Sequence, residues 1–156
     1  MKITFLATGK TTDKKLAELL NHYENRIKKY CSFKVVFTAD LKLPSSTTPD
    51  ILRMKEFELQ QKHLSENDYI ILLDEKGKQF TSEQFSKLLE KKQLENRKQL
   101  VFISGGAYGF SKHLTAKAHE SIALSAMTFP HDLVRVIFAE QLYRAFSILH
   151  NERYHH

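Results

Sequence analysis

Cysteine is all but missing. The 156-residue chain has one, Cys31, so no internal disulfide can close, and a single thiol makes no zinc site. Long apolar runs are missing too: the longest uninterrupted aliphatic run is Ile70 to Leu73, which excludes a helical membrane span. The opening MKITFLATGK reaches Gly9 and Lys10 before an apolar stretch of signal-peptide length develops, so export is not expected. No repeat and no low-complexity segment occurs. What is present suits a globular chain. Leu, Ile, Val and Phe together number 45, too many for a disordered one. The expectation is a reduced, cytoplasmic protein, with residues 1–156 forming a single domain around one core.

Charge is unevenly spread. The net charge is +6, and residues 1–40 hold 8 Lys/Arg against 4 Asp/Glu. Lys10, Lys14, Lys15, Arg26, Lys28, Lys29 and Lys34 make a cationic front that can attract a phosphate backbone or simply face solvent. The last 56 residues carry 9 charged side chains and the first 100 carry 33, so much of the C-terminal end should be covered by core, ligand or another subunit.

Hydrophobic spacing alternates between two periods. Ile3–Ala7 reads as a buried strand, and residues 12–30 as an amphipathic helix capped by Thr12. Phe33–Thr38 is a second strand, residues 43–49 a loop, and about 50–64 a charged helix. Tyr69–Leu73 is an apolar strand, after which Glu75-Lys76-Gly77-Lys78 turns the chain. Thr81 and Gln84 form a capping box for a helix to about 92. Leu100–Ile103, a glycine loop, a short helix at 111–119, a strand at 122–124 and a last helix at about 132–149 complete the chain. Strands alternating with helices, the central ones wholly apolar, imply an α/β fold: a mostly parallel sheet with helices on both faces. Ligands bind such sheets at the carboxyl ends of the strands, which directs attention to the loops after Leu73, Ile103 and Leu124.

Those loops hold the chemistry. Three of the five glycines sit in Ser104-Gly105-Gly106-Ala107-Tyr108-Gly109, where bare backbone can approach a ligand, although neither a dinucleotide fingerprint nor a P-loop is present. Leu124-Ser125-Ala126-Met127-Thr128-Phe129-Pro130-His131 is apolar and hydroxylic; it suits an adenine ring or a buried connection equally. The last helix is apolar almost all round, and a second subunit is its simplest cover. Glu140 and Arg144 are spaced as an i,i+4 pair. Arg135 lies among apolar neighbours, either snorkelling or aimed at a phosphate or carboxylate across an interface. Four of the eight histidines fall in 131–156 without metal-ligand spacing, so no metal site is expected.

Taken in order, Gly105-Gly106-x-x-Gly109, Leu124-Ser125-x-Met127-Thr128-Phe129-Pro130-His131, Glu140-Gln141-x-Tyr143-Arg144-Ala145 and Tyr154-His155, with Lys2-Ile3-Thr4 and Gly9-Lys10, resemble the ribosomal RNA large subunit methyltransferase H family over the whole chain. The resemblance implies a SPOUT-type fold with a C-terminal trefoil knot, against the general rule that chains do not thread. It implies a homodimer that moves a methyl group from S-adenosylmethionine to N3 of a pseudouridine in 23S rRNA of the ribosome. By position it places cofactor contacts at Leu73, Gly105, Leu124, Ser125, Ala126, Met127, Thr128 and Phe129, and catalytic or RNA-holding roles at Arg144, Tyr154 and His155. His155 is the candidate for assisting proton removal. Two departures stand out: Ala107 where relatives often carry Pro or Ser, and His156 where Lys or Arg is common. The competing readings are a non-catalytic RNA-binding or ribosome-associated module and a flavodoxin-like nucleotide hydrolase.

Overall fold

The computed structural model describes residues 1–95 and 99–155, the side chain of His155 excepted. Five strands, β1 (Lys2–Ala7), β2 (Ser32–Phe37), β3 (Tyr69–Gln79), β4 (Gln99–Ser104) and β5 (Glu120–Ala123), form one sheet in the order β2-β1-β4-β3-β5. All four pairings are parallel. The helices are α1 (Lys14–Ile27), α2 (Pro49–Gln60), α3 (Ser82–Leu94), α4 (Lys112–Lys117) and α5 (His131–Leu149).

The period-2 alternation of the strands assigns the two faces. Ile3, Phe5, Ile71, Leu100 and Phe102 point into one core with α1, α3 and α5. Leu6, Ile70, Leu72, Val101 and Ile103 point into the other, closed by Phe57 of α2 and Leu114 of α4. The capping box at α3 forms as the spacing requires: Gln84 N–H donates to Thr81 Oγ1 and Thr81 N–H donates to Gln84 Oε1. At α1 the cap is Asp13 rather than Thr12, because Asp13 Oδ1 accepts from the backbone of Lys15 and Leu16. Thr12 is taken by a distant partner: its N–H and hydroxyl both donate to Asp132.

The apolar wrap of α5 has an internal explanation. Phe138 and Phe146 are buried within this one chain, stacked into a core shared with Phe5, Phe102 and Tyr30, and α5 packs against both α1 and α3. Two helices and the sheet cover these two rings, while Leu133, Val134, Ile137, Ile148 and Leu149 of the same helix stay half-buried. Arg135 is neither snorkelling nor reaching outward. It is 1% exposed and donates to Thr8 O at 2.7 Å, Thr11 Oγ1 at 2.8 Å and Asp132 Oδ1 at 3.0 Å, tying the β1–α1 loop to the start of α5.

The largest departure from expectation lies after Leu73. Glu75 to Lys78 does not turn; β3 runs on to Gln79. Ile122 registers with Leu73 and again with Lys78, so the 74–77 segment crosses β5 as a strap between the two pairings. Gly77 makes the crossing possible. A Cβ there would lie 2.6 Å from Ile122 N and Ser121 C, which are backbone atoms that cannot swing aside. Gly77→Ala should therefore cost about 2 kcal/mol or more through overpacking. Calorimetric melting checks this, and an unchanged Tm would mean that the strap rides clear of β5.

Candidate functional site

A parallel sheet with crossovers brings the carboxyl ends of β3, β4 and β5 to one edge, and their loops enclose a cavity there. Its main lobe has a volume of about 650 Å³, between the 104–110 glycine loop and residues 128–134, with Asp74, Glu75 and Lys76 of the strap along one side. A smaller lobe of about 110 Å³ is lined by Leu73, Leu124, Ser125 and Met127. Glu75 and Thr128 stand between the lobes, joined by a hydrogen bond from Thr128 Oγ1 to Glu75 Oε2 at 3.0 Å. The total is of the size that takes a cofactor or drug-sized molecule.

The walls are shaped for a ligand that meets backbone. Gly109, at φ +75°, closes the glycine loop, and its N–H donates to Gly106 O. Gly105 has an ordinary φ, and space is what it supplies. A Cβ there would stand 3.1 Å from the Phe110 ring and 3.3 Å from Gly109 O. The Ser104 hydroxyl is buried at the lobe's edge and has no hydrogen-bond partner among the described residues. Opposite, α5 begins at His131 with Pro130 as N-cap and no side-chain cap, so the helix presents its positive end to the cavity. Asp132 is held just behind. Burial alone would raise its pKa, but donors from Thr12 and Asp13 and the charge of Arg135 bring the carboxyl below its ordinary range. No three His, Cys, Asp or Glu gather as a metal-ligand group among the described residues.

Seven of the eight positions expected to contact a cofactor line one lobe or the other: Leu73, Gly105, Leu124, Ser125, Met127, Thr128 and Phe129. Ala126 lines neither. Asp74, Glu75 and Arg53, given no ligand role by the sequence reading, also form the walls, beside Ser104 of the glycine loop. Glu75 looked like the start of a turn, and Arg53 sits on a helix that looked merely charged.

Arg144 and Tyr154 are elsewhere. Arg144 donates to Glu140 Oε1 at 2.6 Å and 3.0 Å, and that hydrogen bond and ion pair hold its pKa above the ordinary value. Tyr154 Oη donates to the same oxygen at 3.2 Å, its ring packs edge-on to Tyr143, and Arg26 lies over both rings. Burial, followed by the hydrogen bond with Tyr23 and the charge of Glu140, raises the Tyr154 phenol. The tail is thus anchored at Tyr154 instead of fraying, and Arg26 belongs to this cluster rather than to a free cationic face. The side chain of His155 and all of His156 lie outside the described residues. From His131 at the cavity to Arg144 is 13 helical residues, about 20 Å at 1.5 Å per residue. One chain therefore does not bring Arg144 and Tyr154 to the cavity that its loops enclose.

Comparison with known proteins gives a consistent answer. A family model described as "Predicted SPOUT methyltransferase" matches residues 1–155. A ribosomal RNA large subunit methyltransferase H from Parabacteroides distasonis is 47% identical, over 100% of this chain and 99% of its own length. Proteins of the same name from Flavobacterium johnsoniae and Clostridium botulinum are 45% and 39% identical, over 100% and 99% of this chain and 99% of each relative. Among solved structures, a probable methylase family protein from Haemophilus influenzae superposes with a TM-score of 0.56 at 9% identity, covering 96% of this chain and 66% of the other. That last likeness concerns the fold alone.

Proposed function

This chain belongs to the SPOUT methyltransferases, and among them to the ribosomal RNA large subunit methyltransferase H family, and we propose that it transfers a methyl group from S-adenosylmethionine to N3 of a pseudouridine in 23S rRNA. The observation that carries this reading is the two-lobed cavity at the carboxyl edge of the sheet, with seven of the eight cofactor positions on its walls. The residues fit the cofactor: without a Cβ, Gly105 lets the loop close tightly on Phe110 and Gly109 beside the cavity, and the buried Ser104 hydroxyl has no hydrogen-bond partner among the described residues and is available to bond there. Leu73, Leu124, Met127 and Phe129 supply apolar wall for a purine, while Gly105, Ser125 and Thr128 supply polar backbone and hydroxyls.

When bound, S-adenosylmethionine supplies an electrophilic methyl on a sulfonium. N3 of pseudouridine carries a weakly acidic proton that must leave before or during attack. Anion and sulfonium give neutral products, so a site that excludes water favours transfer, and much of the catalysis is positioning. The separation of about 20 Å along α5 argues for a homodimer in which one copy holds the cofactor and the other presents Arg144 and its tail. Arg144, fixed by Glu140, then meets RNA phosphate, Tyr154 anchors the tail turn, and His155 is the candidate for assisting removal of the N3 proton. The exposed lysines at 10, 14, 15, 28, 29 and 34 support attraction of the RNA backbone. The strap over β5 is where we place the trefoil knot. We take the whole chain as one domain working in the cytoplasm; among the described residues, no helix is long and apolar enough to cross a membrane.

Calorimetry with S-adenosylmethionine, ATP and FMN, followed by mass spectrometry of 23S rRNA from treated ribosomes, tests the reading. Selective binding of the methyl donor and one added methyl on a pseudouridine are expected. Equal binding of ATP or FMN, or ribosomes left unmodified, would overturn it in favour of a nucleotide hydrolase or a non-catalytic RNA-binding module.

A further inference from the structure

Helix α2 lies on the far face from α5, and none of the motifs above includes it. Its residues Arg53 and Glu56, three apart and so on one face of the helix, both reach the glycine loop. Arg53 Nη1 donates to Tyr108 O at 3.1 Å. The Glu56 carboxylate, 7% exposed although it belongs to a surface helix, packs against the Gly106 backbone, whose N–H acts on it as a donor that lowers its pKa. The fit is close: a Cβ on Gly106 would lie 2.1 Å from Glu56 Oε1. One side chain thus holds a loop donor, and the other holds a loop acceptor two residues on. A free loop of three glycines would sample many conformations, and each binding event would carry the cost of ordering it.

We propose that Arg53 and Glu56 are positioning residues that clamp the glycine loop in its cofactor-accepting conformation. The inference rests on the reading that this cavity takes S-adenosylmethionine. The clamp itself costs stability. Burial is the larger influence on Glu56 and raises its pKa, with the Gly106 bond opposing. A carboxyl whose pKa is raised by folding destabilises the folded state progressively as pH climbs from its ordinary range through the raised value. A buried charge kept at such a cost fits a role in function. The other charged groups facing Glu56 are Asp40, from the β2–α2 loop, and His131, at the start of α5; both share a cavity of about 240 Å³ with it, and Arg53 is its neighbour on α2.

The test is calorimetric titration of S-adenosylmethionine into wild type, R53A, E56A and E56Q, with melting curves for each. Glutamine keeps an acceptor for Gly106 without the charge. E56A and R53A should each weaken binding about tenfold or more, while E56Q stays within about threefold of wild type. E56Q should also melt higher at neutral pH, since the cost of the buried charge is gone. As pH falls through the raised range of Glu56, the protonated carboxyl keeps an acceptor oxygen as glutamine does, so wild-type affinity and melting temperature should converge on those of E56Q. A merely structural residue would not give this split. Folded E56A and R53A with wild-type affinity, or E56Q binding as weakly as E56A, would overturn the clamp. Failure of wild type to bind at all would instead refute the reading of the cavity. In that case hydrogen exchange at the Gly106 amide decides: protection in wild type lost in E56A supports the clamp, and equal exchange rejects it.

Discussion

Gly105→Val is expected to leave a folded protein that has lost its affinity for S-adenosylmethionine. The φ of this glycine lies outside the left-handed region, so the effect is one of space. Its first added carbon would already press on the Phe110 ring at 3.1 Å and the Gly109 carbonyl at 3.3 Å. Valine adds two more carbons, one of which must point toward the loop or into the 650 Å³ lobe. Accommodating them means moving the loop, and overpacking of this kind costs roughly 1–3 kcal/mol. Because tenfold in affinity corresponds to about 1.4 kcal/mol, a loss of about 100-fold is expected. Calorimetry beside a melting curve separates the two effects. A folded variant that binds the donor normally would remove the glycine loop from the site.

Arg144→Ala should abolish methylation of ribosomes by a different route, keeping cofactor affinity while RNA placement fails. Arg144 lies about 20 Å along α5 from the cavity, so its loss should not reach the donor's walls. Turnover should fall by two orders of magnitude or more, as when a positioning group is removed. The sharper expectation concerns mixtures. Gly105→Val and Arg144→Ala are each inactive alone. In a symmetric dimer whose sites combine one chain's cavity with the other's Arg144, a mixed dimer holds one site with both residues intact. Random exchange makes half the dimers mixed, so activity should recover to about a quarter of wild type. A mixture as inactive as its components would show that cavity and Arg144 serve the same chain's site, and the dimer reading would fall.

Much of this molecule is local in origin. The alternation in Ile3–Ala7, Ile70–Leu73 and Leu100–Ile103 assigns each side chain to one of two cores, and a parallel sheet with two covered faces follows. The Thr81/Gln84 capping box and the Glu140/Arg144 pair are one-turn relations, and both formed as spaced. The glycine loop and the 124–131 segment were recognisable because a parallel sheet gathers its ligand sites at strand ends, and both segments follow strands.

What failed to show was whatever depends on residues far apart in the chain. Thr12 and Asp13 are both good caps; Asp132, more than 100 residues away, removes one of them by taking its N–H and hydroxyl. The all-apolar α5 signals burial on several sides, but whether α1 and α3 or a second subunit provides the cover depends on how the elements pack. Glu75-Lys76-Gly77-Lys78 has the composition of a turn, and only the β5 backbone lying 2.6 Å from a hypothetical Gly77 Cβ shows that the glycine serves a crossing. Arg135 and Glu56 are, in the sequence, a lone arginine and one charge among many. Their partners at Thr8, Thr11 and Gly106 come within reach only through the strand order β2-β1-β4-β3-β5. Periodicity encodes which face a residue occupies, because that depends on its nearest neighbours. Which distant residue it meets across that face depends on the crossovers, and those are settled by the packing of the whole chain.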